Sequence, residues 1–68
     1  MSAPATSGLI RAAEKVADWF EAQATRNEKK AETERFISLR NAYVFDAKNY
    51  RAMALDLRTA IKQARGGR

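Results

Sequence analysis

Three arginines, Arg51, Arg58 and Arg65, recur at every seventh position of the stretch YVFDAKNYRAMALDLRTAIKQAR, residues 43–65. Seven residues are close to two helical turns, so the three guanidinium groups fall along one edge of a helix. A row of fixed cations can grip phosphates, pair with carboxylates of a facing helix, or keep a surface hydrated. The same edge begins with Ile37 and Val44, so it is apolar in its first half and cationic in its second. That split matches positions flanking a helix–helix seam, where charges choose partner and orientation. Glu14, Asp18 and Glu21 are the candidates for pairing within the chain.

The phosphate reading takes Arg40, Lys48, Arg51, Arg58, Lys62, Arg65 and Arg68 as contacts, with the tail KQARGGR following a nucleic-acid backbone. Two features weigh against it. The aromatic residues sit at core spacing instead of being interleaved with basic ones, and there is no helix-turn-helix pattern with a glycine turn.

The inventory for catalysis is thin. The chain contains no cysteine and no histidine, which removes thiolate nucleophiles, imidazole bases and nitrogen–sulfur metal sites. Glu28, Glu32 and Glu34 offer oxygen ligands, but the interspersed Lys29, Lys30 and Arg35 repel a cation. Carboxylates and lysines acting as acids and bases need a pocket that excludes water, and a thin helical chain seldom builds one. The expectation is a non-enzyme with no catalytic residues, no cofactor and no metal.

The elements that must carry these residues are helical. MSAPATSG is small, polar and interrupted by Pro4, and reads as a flexible arm over residues 1–7, with Thr6 or Ser7 capping the helix that follows. From Leu9 to Ala24 the apolar residues occupy one half of a helix and the charges the other, which predicts a helix over about 8–25. Trp19 and Phe20 are expected to pack in its core. TRNEKKAETER, residues 25–35, breaks that stripe, because continuing the same face brings Gln23, Asn27, Ala31 and Glu34 inward, a poor core. Thr25 to Glu28 fit a capping box. Residues 26–34 are therefore expected to form a polar turn or a solvated segment, with the chain folding back so that two apolar stripes bury each other.

From Phe36 onward Tyr43, Tyr50, Leu57 and Ala64 repeat every seven residues, and Arg40, Ala47, Ala54 and Ile61 form the complementary series. This predicts a helix over about 35–65, stopped by Gly66 and Gly67 ahead of a tail at 66–68. Asp46 falls on its apolar side, so either the helix is continuous or a third helix starts there.

The fold class is thus all-α, a helical hairpin or a pair of long coiled-coil-like helices in a single domain. At 68 residues without disulfides or metal ligands, a chain buries only about 60% of its unfolded surface and needs a further device, here oligomerisation or docking into a larger assembly. Ile37, Val44, Phe45 and Leu55 lie off the main stripe and, with Tyr43, Tyr50, Leu57 and Ile61, form the expected partner interface. Residues 1–34 hold five basic and six acidic side chains, a net of −1; residues 35–68 hold eight and two, a net of +6. Such asymmetry favours an acidic partner.

The expected function is a helical protein–protein interaction or assembly subunit, a small component of a bacterial or viral particle such as a virion or a secretion apparatus. It binds itself or other proteins of the assembly. The alternative is a small basic nucleic-acid-binding protein. No stretch has the length and apolarity of a membrane span and the N-terminus has no secretion pattern. The expected location is the cytoplasm or a particle assembled there.

Overall fold

The computed structural model describes residues 3–66. Two helices account for nearly all of them: α1, Ala3–Thr33, and α2, Ile37–Gly66, joined by residues 34–36 and packed side by side in an antiparallel hairpin. The Cα atoms span 54 × 19 × 12 Å, one helix thick and two helices wide. Among the described residues no third layer covers the faces that point away from the seam.

Seven-residue spacing sets the seam. Ala17, Ala24 and Ala31 of α1 and Ala47, Ala54 and Ile61 of α2 are the buried hydrophobic residues, and Ala17 and Ala24 have no exposed surface at all. Methyl side chains at the contact let the two backbones approach at the short end of the range for packed helices. Tyr43, Tyr50 and Leu57 are only half-buried beside this line. The alanine series is therefore the centre of the seam, and the aromatic series flanks it. Phe36, first of the aromatic series, is exposed at the turn.

The boundaries differ from the sequence expectation at two places, and the open alternative at Asp46 resolves to a continuous helix. α1 begins at Ala3, so the expected arm at 1–7 is helical from there; Pro4 falls in the first turn, where its missing N–H has no intrahelical partner to lose. Thr6 and Ser7 lie inside the helix and do not cap it. The expected polar turn at 26–34 is mostly helix, because α1 continues to Thr33. The segment contains no glycine or proline, and Ala31 falls seven residues after Ala24, so the seam narrows without breaking. Asn27 is accommodated by donating its side-chain amide to the Gln23 carbonyl, 2.9 Å away. α2 runs unbroken from Ile37 to Gly66, with Asp46 exposed in its middle, so there is no third helix. Gly67 and Arg68 lie outside the described residues.

The reversal is made without glycine by side-chain capping. The Glu34 carboxylate accepts the Phe36 N–H at 3.1 Å, satisfying a donor ahead of α2. Arg40 donates from Nε and Nη2 to the Glu34 carbonyl at 3.2 and 2.9 Å, closing the other side of the turn.

Candidate interaction surfaces

The seam divides the hairpin into two edges of opposite character. Along one, a ladder of ion pairs joins the helices. Arg51 reaches Glu28, Arg58 reaches Glu21 and Asp18, and Arg65 reaches Glu14. Each step of seven up α2 is matched by a step of seven down α1, which is the register that the alanine seam imposes. Arg51 and Arg58 each hold their glutamate with two parallel bonds: Nε and Nη2 to the two carboxylate oxygens at 2.8 and 2.7 Å for Glu28, and at 2.8 and 2.9 Å for Glu21. The spare reach of Arg51 goes to the Thr25 hydroxyl at 3.3 Å, and that of Arg58 to Asp18 at 2.5 Å. Thr25 and Glu28, which resemble a capping box in sequence, instead serve this ladder from within the last third of α1.

These bonds move the titrations in the direction expected for charge-assisted pairs. The Arg58 hydrogen bond holds Glu21 below the usual glutamate range, and the Arg51 hydrogen bond does the same for Glu28. Arg51 and Arg58 are correspondingly harder to deprotonate.

The seven basic residues considered as phosphate contacts are thus placed unequally. Arg51, Arg58 and Arg65 point their donors at carboxylates of α1, and Arg40 is tied to the turn. Lys48 and Lys62 are exposed on the outer flank of the ladder. Arg68 lies outside the described residues.

The opposite edge is apolar and aromatic. Tyr50 of α2 meets Phe20 and Trp19 of α1, with ring centroids 6.0 and 5.9 Å apart, and Trp19 stands edge-on to Phe20 at 5.6 Å. Lys30 lies 5.6 Å over the Tyr43 ring. Toward the open end of the hairpin, Leu9, Ala13, Leu57, Ala60 and Ala64 line a shallow apolar groove of about 240 Å³. The side chains of this edge are incompletely covered: Leu9 is 73% exposed and Trp19 52%, and Val16, Leu39 and Met53 are also exposed. Trp19, expected in the core, packs on its neighbours with one flank and presents the other to solvent.

The residues expected to form the partner interface do not make one face. Ile61 is buried inside the hairpin, and Tyr43, Tyr50 and Leu57 are half-buried beside the seam. Ile37 and Val44 are exposed on the ladder edge near the turn, Leu55 is exposed in line with Lys48 and Lys62 on the outer flank of that edge, and Phe45 is exposed on the side of α2 away from the seam. The broader apolar edge centred on Trp19, Tyr50 and Met53 escapes a reading that assigns every residue of an apolar stripe to one seam. The available signal is width: the apolar residues of α1 span half its circumference, more than one facing helix covers.

Among the described residues no three acidic side chains are grouped to hold a metal ion, and no helix is long and apolar enough to cross a membrane. In comparison with known proteins, no family model matches the chain, and neither a curated protein nor a solved structure matches it.

Proposed function

We propose that this chain is a non-enzymatic helical interaction module, a structural subunit that associates with copies of itself or with other proteins of a larger particle, bacterial or viral, in the cytoplasm. One observation carries the reading. Two long helices bury only alanines and one isoleucine, while ten large hydrophobic side chains remain exposed. The chain exposes 5289 Å², whereas a compact monomer of its 7.6 kDa exposes about 4,300 Å². Isolated proteins of this size rarely leave so many large apolar side chains in water with so few buried. The rigid ladder and the alanine seam supply a straight rod on which such a surface is displayed.

A second reading, nucleic-acid binding, draws on exposed Lys48 and Lys62 and on the +6 charge of residues 35–68. It is the weaker of the two, since three of its arginines already face carboxylates. Titrating duplex and single-stranded DNA and RNA at several salt concentrations tests the choice. The interaction-module reading expects negligible binding at physiological salt, before and after reversing Arg51 and Arg58 to Glu. Tight binding whose log–log salt slope flattens by about 0.9 on duplex DNA for each lost contact would replace it with the second.

A further inference from the structure

We propose that the apolar edge of the hairpin docks a second copy of the same chain, lying alongside with both turns at the same end. α1 of each copy then packs on α2 of the other, and four helices enclose Trp19, Tyr50 and Met53. This rests on the interaction-module reading and adds to it the occupant and its orientation.

The charges that flank the edge select the occupant. Of all charged residues of α1, helical periodicity places only Arg26 and Lys30 on this flank; of those of α2, only Asp46 and Asp56. Lys30 lies over the Tyr43 ring, and Asp46 lines one shallow depression with Tyr50 and Met53. Arg26 follows Trp19 by seven residues, and Asp56 follows Met53 by three. Among the described residues none of these four joins an ion pair within the hairpin. Asp46 and Asp56 are the only acidic residues of an otherwise basic α2, and both fall here. One half of the edge is therefore cationic, the other anionic, and the centre is apolar.

A surface of that kind complements itself under one two-fold axis only. Lys30 and Asp46 differ by only about 3 Å in height, since each is one residue from an alanine of the pair Ala31 and Ala47, which lines a common groove. An axis parallel to the helices keeps heights and exchanges helices. Lys30 then meets Asp46 of the second copy, while Arg26, two residues from Ala24 toward the turn, and Asp56, two residues from Ala54 away from it, differ by about 6 Å in height, a gap an arginine side chain spans. An axis across the hairpin sets α1 on α1 and α2 on α2, so Arg26 and Lys30 meet a flank that carries no acidic residue, and Asp46 and Asp56 one that carries no basic residue. Burying unpaired charge is costly, so the parallel arrangement wins. Size agrees as well: a standard interface covers about 800 Å² per partner, and the hairpin carries roughly 1,000 Å² more surface than a compact chain of its mass.

The test reverses each half separately. The double variants R26E/K30E and D46K/D56K are expected to self-associate at least about tenfold more weakly than the wild type by sedimentation, and to pair when mixed in equal amounts. Orientation is read from spin labels on Ser38→Cys, next to the turn, in a chain with no other cysteine. The labels are expected to lie close together at one end of the dimer. Variants that dimerise as well as the wild type, a mixture that fails to pair, or a monomeric wild type would overturn the proposal. Labels held apart by most of the 54 Å length would overturn it too, while leaving the interaction-module reading in place.

Discussion

Arg58 and Glu21, thirty-seven residues apart in sequence, face each other fork to fork across the hairpin, with Nε 2.8 Å and Nη2 2.9 Å from the two carboxylate oxygens. One heptad toward the turn Arg51 repeats the fork with Glu28, and one heptad the other way Arg65 meets Glu14 through a single contact. The pair fixes register more than it fixes stability, because exposed ion pairs contribute little once solvent and side-chain entropy are counted. Removing Leu57, one residue away on the apolar flank, costs about 2 kcal/mol, the low end for truncating a large core side chain, as suits its half-burial. At one fixed concentration, thermal melts are expected to show a larger loss for Leu57→Ala and Tyr50→Ala than for Arg58→Ala. Equal losses would mean that the ladder, and not the apolar flank, holds the helices together.

The alanine seam has no room. Ala24 is fully buried and Ala54 nearly so, and neither helix can accept a larger side chain without moving away from the other. Ala24→Leu or Ala54→Leu is expected to destabilise by about 1–3 kcal/mol, the usual cost of overpacking. Ala22→Leu, on the exposed side of α1, is the control and is expected to be nearly neutral. Denaturant midpoints of the three variants check this.

Acid is expected to loosen the ladder. Hydrogen bonds from Arg58 and Arg51 lower the pKa of Glu21 and Glu28 in the folded chain below the ordinary 4.5. Groups depressed in this way contribute stability that is complete above the unfolded value and is lost as pH falls through the lower folded value. Melting temperature should therefore be flat on the neutral side of 4.5 and fall below it. In E21Q/E28Q the part of the acid fall due to these two groups should disappear.

The turn depends on one side chain at each end. Glu34→Ala removes the acceptor of the Phe36 N–H, and Arg40→Ala removes the two donors on the Glu34 carbonyl. Each is expected to fray the residues next to 34–36, detected as faster amide exchange there, with the alanine seam still protected.

Much of this fold is legible in the sequence, and the misreadings share one cause. The amphipathic half of α1 and the seven-residue repeats of α2 announce two long helices that bury stripes against each other. The turn is harder to place, since nothing in TRNEKKAETER differs from a solvated helix except where Glu34 and Arg40 meet, and that contact exists only after folding. Ala31 looks too isolated among polar residues to continue a core, yet opposite Ala47 a methyl group suffices. The arginine edge is readable as flanking a seam, and its partners Glu14, Asp18 and Glu21 are visible from their spacing. Glu28 is hidden by the assumption that the helix has ended. Trp19 reads as core because hydropathy gives a direction but not the number of helices available to cover it.

The central claim is that the hairpin leaves an apolar surface that association covers. Sedimentation equilibrium across a wide concentration range, with thermal melts on the same samples, tests it most directly. The account predicts a mass that rises above 7.6 kDa as concentration increases, and a melting temperature that rises with it, as mass action requires. A constant monomer mass together with a melting temperature independent of concentration would contradict it.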